Sequence, residues 1–318
     1  MVELAGPLLL SVLMGSQYTM MALGLTMTYA ITRVPNFAHA EFVTVGGYAA
    51  VAFVNVLGGG LIESLLGGFL AGAIVAMLSD ELVFKPLFRR GATPLHLLVA
   101  SIGVGLVIRY VLSIVVASYD FLVVKSRINK EILFSIGTAP FTNLHAWVLP
   151  TTFAVVIALH ALFTQTRMGK AMRAMASNFD LARVAGIRTA QVRRWTWFLA
   201  GGLAGVGGAF WVVNVPVQPE TGWGLLLWLF AASILGGFVS FWGTIVGGFV
   251  VGFAENLGIS AVHDTFGVSL SYRPMIALVI IVLVFLIRPQ GVTGLTMPDF
   301  RALIRKWFAR FGAARGRS

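Results

Sequence analysis

The chain has 318 residues, of which 58% are apolar and only 11% are charged, and its mean hydropathy is +0.89. Soluble domains carry about 25% charged residues, so this composition excludes a soluble globular domain and indicates a polytopic membrane protein. The net charge of +11 does not indicate nucleic-acid binding, because the basic residues lie beside apolar runs, where topology and anionic lipid account for them. The absence of cysteine excludes disulfides and thiolate chemistry.

The first apolar run, Leu4 to Thr32, contains no charged residue and is long enough to cross a bilayer. Glu3 precedes it and Arg33 follows it. By the positive-inside rule, we predict that the N-terminus lies outside and Arg33 inside.

The remaining apolar runs predict an all-α transmembrane bundle of eight or nine spans, some of them broken by glycines. After the first span, they cover residues 42–62, 61–79, 94–118, 147–164, 195–213 and 274–288, with two spans in 221–254 joined by an inner turn at Val239 to Trp242. Most of the 23 basic residues then lie inside, and the C-terminus is cytoplasmic.

Polar side chains within spans are costly in lipid and usually face protein or water, so they are candidates for a translocation path. These candidates are Asn36, His39, Glu41, Arg109 and Glu255. Two of them have structural alternatives: Asn36 as a helix cap, and Arg109 as the partner of a helix end or of an acid such as Glu255. His39 and Glu41 lack a third ligand nearby, so we predict no metal site, and no catalytic site stands out.

Glycines are concentrated in residues 200–208 and 235–252. Gly201 with Gly205, and Gly243 with Gly247, have the small-xxx-small spacing of close-packed helix faces. The alternative is a broken helix that lines a path, as in many transporters.

The segment 166–195 is the longest polar interruption in the middle of the chain, with seven basic residues against one acid, Asp180. Apolar residues recur in it at spacings of three and four, which predicts short amphipathic helices. Asn178 is placed to cap the second helix, and Gly186 to end it in a left-handed conformation. We interpret the segment as a cytoplasmic helix–turn–helix presented to a partner; a solvated basic loop is the alternative.

Four stretches of the chain carry a resemblance to a known family. They are Ala22 to Tyr29 running into Arg33 to Glu41, Gly169 to Ile187, the glycines of 235–248 with Glu255, and Arg288 to Gly294. Together they resemble the permease subunits of bacterial and archaeal branched-chain amino-acid ABC importers. Pro35 stands where that family usually has Ile, and Ala40 where it usually has Gly. Urea and short-chain amide importers use similar permeases, so these remain alternative substrates.

The resemblance implies a single transmembrane permease domain over residues 1–318 in the cytoplasmic membrane, with cytoplasmic coupling helices in 166–195 and a basic cytoplasmic tail in 289–318. The partners it implies are a second permease subunit, identical or homologous, two ATP-binding subunits and an extracytoplasmic substrate-binding protein. ATP and Mg would be bound by the ATP-binding subunits, and no cofactor by this chain. The implied coupling residues are Lys170, Arg173, Ala174, Ala176, Asp180 and Gly186.

Two other classes of membrane protein compete with this interpretation. A secondary transporter would carry its own ion-coupling acids at mid-membrane and usually shows internal repeats. A membrane-embedded enzyme would need a convergent nucleophile and base, for which His39 and Glu41 are the best available pair.

Overall fold

The computed structural model describes residues 5–137, 139–287 and 291, and it is predominantly helical. The predicted basic tail, 289–318, lies outside the described residues except for Gly291. The helices are α1 (Ala5–Thr32), α2 (His39–Asn55), α3 (Leu61–Ser79), α4 (Lys85–Arg89), α5 (Pro94–Ala117), α6 (Asn143–Gln165), α7 (Arg167–Ser177), α8 (Phe179–Val184), α9 (Thr189–Asn214), α10 (Thr221–Leu235), α11 (Phe241–Phe253), α12 (Ile259–Phe266) and α13 (Arg273–Ile287). One π-helical turn, Asp80–Phe84, joins α3 to α4, and another, Ala254–Gly258, joins α11 to α12.

The predicted polytopic helical bundle is confirmed. Over the described residues, seven helical stretches are long and apolar enough to cross a membrane: Ala5–Thr32, Leu61–Arg89, Pro94–Ala117, Asn143–Gln165, Thr189–Asn214, Phe241–Phe266 and Leu270–Ile287. The other two predicted spans correspond to shorter helices, α2 with 17 residues and α10 with 15. The predicted 42–62 span therefore ends early, at Asn55, and the predicted inner turn lies between Leu235 and Phe241.

The segment before α6 contains a feature that the all-α prediction missed. Strand β1 (Ile132–Ile136) pairs antiparallel with β2 (Ala139–Thr142), and the rings of Phe134 and Phe141 stack at 4.5 Å. Gly137, at φ +64°, lies in the turn between the strands. The hairpin leads directly into α6, which begins four residues before the predicted span.

Helices α1 and α9 form the centre of the bundle, and most residues of each are buried. Around them, α2, α3 and α9 approach so closely that their backbones touch. A Cβ on Gly205 would overlap the carbonyl of Gly68, and one on Gly46 would overlap the backbone of Gly205. These contacts confirm the predicted close-packing role of Gly205, since a larger side chain has no room there.

Helices α5, α6 and α13 lie at the periphery. In the isolated chain, 22%, 17% and 6% of the residues in the apolar stretches of these helices are buried, against 83% for α9. Their outward faces carry large apolar side chains such as Val107, Phe153 and Leu286. These are the surfaces that lipid or another membrane subunit would cover.

Candidate translocation and coupling site

Residues 33–38 place the start of α2 deep inside the bundle. The helix α1 ends at Thr32, Arg33 takes a left-handed conformation (φ +56°), and the chain then runs back along α1. At the start of α2, Nε2 of His39 lies 2.9 Å from the carbonyl oxygen of Met21. Met21 lies about three turns, or roughly 16 Å, before the end of α1. Residues 33–38 are therefore a non-helical connection that starts at the exposed Arg33 and is buried at Val34, Asn36 and Ala38.

Two of the candidate polar residues stabilise this connection. The side-chain oxygen of Asn36 accepts a hydrogen bond from the backbone N–H of Ala38 at 3.1 Å, in the turn before the helix. The alternative role of Asn36 as the helix cap was wrong, because α2 begins at His39 with Ala38 at the cap position and no side-chain capping bond. His39 is fully buried against α1. Ser101 of α5 accepts a bond from the N–H of Phe37 at 3.1 Å.

The short helix α10 begins beside α2, with Gly222 buried against it and Glu220 and Trp223 exposed. The N–H of Gly222 donates to the hydroxyl of Thr44 in α2 at 2.9 Å, so the first turn of α10 lies beside the first turns of α2. Further along α10, Phe230 packs on Phe37 with ring centres 5.0 Å apart. Two helix N-termini, each with the positive end of its dipole, thus lie near one another: that of α2 is buried, and that of α10 lies at an exposed edge of the chain.

A buried ion pair lies where these two N-termini approach. Both Nε and a terminal nitrogen of Arg109 donate to Oε1 of Glu41, the former at 3.1 Å. The side chains are 11% and 1% exposed. Thr44 donates to the other carboxylate oxygen at 3.4 Å, and the Arg109 guanidinium lies 4.8 Å from the ring centre of Trp223. The pair joins α2, α5 and the start of α10.

Glu255 lies at a different place. It is carried by the second π-helical turn, and Oε2 of Glu255 accepts a hydrogen bond of 2.6 Å from the hydroxyl of Tyr18. Tyr18 in turn stacks on Trp228, with ring centres 5.9 Å apart. The suggested pairing of Arg109 with Glu255 was therefore wrong, because Glu41 is the closer acid and takes the guanidinium.

The segment 166–195 contains two short helices and, from Thr189 on, the start of α9, and the second short helix has the predicted caps, Asn178 and Gly186. The hydroxyl of Thr166 accepts from the N–H of Gly169 at 3.0 Å, and the side chain of Asn178 accepts from the N–H of Leu181 at 2.9 Å. Gly186 has φ +81°, the left-handed conformation that glycine adopts without steric cost. These local features are all encoded within a few residues of sequence.

Helix α7 is attached to the membrane helices by an apolar cluster and two hydrogen bonds. Met172 and Met175 are buried in a cluster with Ile31 of α1. The guanidinium of Arg33 donates to the carbonyl of Ala176, and that of Arg173 donates to the carbonyl of Phe163 at the end of α6. The first of these bonds connects α7 directly to the 33–38 segment.

The predicted coupling residues divide by exposure. Lys170, Arg173, Asp180 and Gly186 are exposed, whereas Ala174 and Ala176 are half-buried against the chain itself. On α8, Leu181 and Val184 are 65% and 86% exposed, which is unusual for apolar side chains on a polar segment. The exposed residues form a mixed ionic and apolar surface, and their coupling role stays a prediction.

A charge cluster where α3 ends was not predicted as a site. Arg193 binds Asp80 with Nε at 2.8 Å and a terminal nitrogen at 2.6 Å from Oδ1, and both side chains are buried. Next to them, Arg194 pairs with Glu81 at 2.8 Å. From the sequence alone, basic residues beside the spans indicate only topology. The sequence did hold a signal for this cluster: two adjacent acids end one span, and two adjacent arginines precede another.

Comparison with known proteins determines the family. The model of the family described as "Branched-chain amino acid transport system / permease component" matches residues 8–287. The chain belongs to this family. The probable branched-chain amino acid transport permease protein LivH of Methanocaldococcus jannaschii is 33% identical over 90% of this chain and 91% of its own length. The high-affinity branched-chain amino acid transport system permease protein LivH of Escherichia coli is 28% identical over 89% and 93%.

A solved structure supports the fold. A chain of PsaBC from Streptococcus pneumoniae in complex with Fab matches with a TM-score of 0.50 and 13% identity, over 90% of this chain and 94% of that one. At this identity the likeness concerns the fold alone.

The structure of this permease-family chain brings four of the predicted path residues together at the start of α2: Asn36, His39, Glu41 and Arg109. It places Glu255 apart, and adds Thr44 and Trp223, which no local pattern marked.

Proposed function

We propose that this chain is one of two permease subunits of an ATP-driven importer that moves branched-chain amino acids across the cytoplasmic membrane. Family membership and the names of its relatives support the transport role and the substrate class. The observation that carries the mechanism is the bond from Arg33 to Ala176, because it joins an exposed helical segment to the connection that positions α2. Movement of α7 is thereby passed to the buried polar residues.

The partners in this proposal are a second permease subunit, identical or homologous, two ATP-binding subunits and an extracytoplasmic substrate-binding protein. ATP and Mg are bound by the ATP-binding subunits, and this chain holds no cofactor. Lys170, Asp180 and Gly186, with the exposed Leu181 and Val184, form the surface that the ATP-binding subunit contacts. Arg173, Ala174 and Ala176 hold the coupling helices on the bundle, so that docking and movement act as one unit.

The translocation path in this proposal passes the N-termini of α2 and α10. Helix N-termini attract anionic groups, so they suit the carboxylate of an amino acid. Trp223, which is 47% exposed, offers an apolar surface for the aliphatic side chain. The buried pair of Glu41 and Arg109, with Asn36 and His39 behind it, fixes these N-termini in place, and Glu255 marks a second polar position along the path.

The orientation in this proposal follows the distribution of basic residues: the N-terminus and 119–146 lie outside, whereas 166–195 and the tail lie in the cytoplasm. The absence of cysteine allows a clean test with single cysteines. In intact cells, an impermeant thiol reagent should label Ser135→Cys in the exposed hairpin and should not label Ser177→Cys at the end of α7. Labelling of Ser177→Cys before lysis contradicts this orientation.

The decisive functional test uses the complete transporter, purified with its partner subunits and reconstituted into vesicles. We expect ATP hydrolysis to rise when the binding protein is supplied with leucine, isoleucine or valine, and these amino acids to accumulate in the vesicles. Urea and acetamide serve as competing substrates. If urea or acetamide stimulates ATP hydrolysis and is taken up while the amino acids are not, the proposed substrate is wrong. If uptake proceeds without ATP, the proposed ATP-driven mechanism is wrong.

The coupling surface is tested by Gly186→Asp with Gly267→Asp as its matched control. Both glycines are left-handed, at φ +81° and +67°, and both face open space, so each substitution costs about the same strain, on the order of 1 kcal/mol. Only Gly186 lies in the proposed contact. We expect Gly186→Asp to lose ATPase co-purification and uptake while Gly267→Asp keeps both. Ala174→Glu should resemble Gly186→Asp, and wild-type uptake in both coupling variants rejects the contact.

A further inference from the structure

A cleft with a volume of about 430 Å³ lies at the cytoplasmic ends of α1 and α6, under α7 and beside the turn into α11. Its volume is in the range of ligand pockets, about 300–1,000 Å³. Most of its surface is apolar, supplied by Leu23, Met27, Ile31, Phe163 and Trp242. The proposed path at the N-termini of α2 and α10 does not use these residues.

The mouth of this cleft is basic. Arg173 lines it, and its guanidinium is held at the end of α6 by the bond to the carbonyl of Phe163. Arg167 and Lys170 are exposed on the same helix, at successive spacings of three residues, and so continue the positive charge along the α7 face. Among the residues that the structure describes, no Asp or Glu lines the cleft. The charge at the opening is therefore complementary to an anion.

In the orientation proposed above, the cleft lies near the inner membrane surface, and its outer rim is exposed in the isolated chain. Trp242 is 48% exposed, and its ring packs against that of His160 at 5.3 Å. Exposed tryptophans of this kind are enriched where a membrane meets water. One wall is α6, a peripheral helix in which only 17% of the residues in the apolar stretch are buried. An acyl chain of the inner leaflet can thus reach the apolar surface from the side.

We propose that this cleft binds an anionic phospholipid of the inner leaflet, with its phosphate on Arg173 and an acyl chain against Met27, Phe163 and Trp242. Basic pockets on the cytoplasmic side of membrane helices are suited to anionic headgroups, since each Lys or Arg near the surface contributes favourably. The lipid then fills the space between α7 and the membrane helices. It stiffens the attachment of α7, whichever substrate the protein carries.

The test measures which lipid stays bound. The protein, purified with its partner subunits, is equilibrated in nanodiscs of equal phosphatidylglycerol and phosphatidylcholine, and native mass spectrometry determines the retained lipids. Arg173→Ala removes the charge, Arg173→Lys keeps it, and Ala30→Phe fills the cleft from α1. Arg183→Ala on α8 is the matched control, because it removes an exposed cation that does not line the cleft.

We expect the wild type, Arg173→Lys and Arg183→Ala to retain phosphatidylglycerol preferentially. Arg173→Ala should lower the ratio of retained phosphatidylglycerol to phosphatidylcholine about fivefold. Ala30→Phe should lose both lipids at unchanged melting temperature. Equal ratios in Arg173→Ala and the wild type overturn the proposal. So does loss of the ATP-binding subunit from Arg173→Ala with lipid unchanged, which assigns Arg173 to that subunit instead. If Ala30→Phe does not fold, the ratio in Arg173→Ala against Arg173→Lys decides.

Discussion

Two buried arginine–carboxylate pairs differ in what surrounds them. Asp80 and Arg193 join α3 to α9, two helices whose backbones already touch through glycines such as Gly205. Glu41 and Arg109 join α2 to α5, a peripheral helix whose few other buried residues lie on one narrow stripe. The same chemistry therefore reinforces a rigid contact between α3 and α9 and supplies a main attachment between α2 and α5. A buried pair has to be judged by the packing around it.

The difference predicts where a lost partner does most harm. In the α3–α9 contact the helices cannot separate, so an unpaired charge stays buried. In the α2–α5 contact α5 can shift and admit water, which relieves part of the penalty. The variants below test this contrast in order of decreasing expected effect.

The largest effect should follow Arg193→Met, which leaves Asp80 buried without its partner. We expect the free energy of unfolding to fall by about 3–5 kcal/mol, the usual cost of breaking a buried pair. The measurement is thermal or denaturant unfolding of the purified protein in detergent. A loss below that of Arg109→Leu reverses the proposed ranking of the two pairs.

Arg109→Leu should lower stability less, by about 3 kcal/mol, at the lower end of the range for a buried pair. Transport should also fall, because α5 and the first turn of α10 lose their common contact. The double variant Glu41→Leu with Arg109→Leu should recover part of the stability but not the transport, since no buried charge remains. Full transport and unchanged stability in Arg109→Leu would contradict a structural role for the Arg109 side chain and indicate that it merely extends to solvent.

Thr44→Val tests the junction of the two short helices. It removes the acceptor for the N–H of Gly222 and leaves that donor buried, so we expect a loss on the order of 1–3 kcal/mol. Thr28→Val is the matched control, because the Thr28 hydroxyl bonds only to carbonyls of its own helix and its loss leaves no donor unpaired. Equal losses in the two variants show that the junction is not specially dependent on this bond.

Arg194→Met should have the smallest effect, about 0–1 kcal/mol, since its pair with Glu81 is exposed to solvent. It differs from Arg193 by one position in α9 and serves as the control for that variant. Its small effect should shrink further at high salt, where exposed charges are screened. A loss comparable to that of Arg193→Met shows that the cluster acts as one unit.

The sequence predicted those features that local patterns encode. Apolar runs identified the membrane helices, and Asn178 and Gly186 were identified from their positions at helix ends. The ion pairs were missed because their members are far apart in the chain, and local spacing carries no information on which distant charges meet. The hairpin at 132–142 was missed because its short apolar strands lie within a loop that was treated as irregular.

The connection formed by residues 33–38 contains a folded turn. The N–H of His39 donates to the carbonyl of Asn36 at 3.3 Å, and the N–H of Ala38 donates to the side chain of Asn36 at 3.1 Å. From Arg33 to His39 the chain spans six residue steps, which reach at most about 20 Å when fully extended. The turn keeps the connection shorter than this limit, so a pull on Arg33 opens these two hydrogen bonds before it displaces α2. In the proposed coupling, the turn therefore sets a threshold: small movements of α7 are absorbed by it, and only longer ones reach α2.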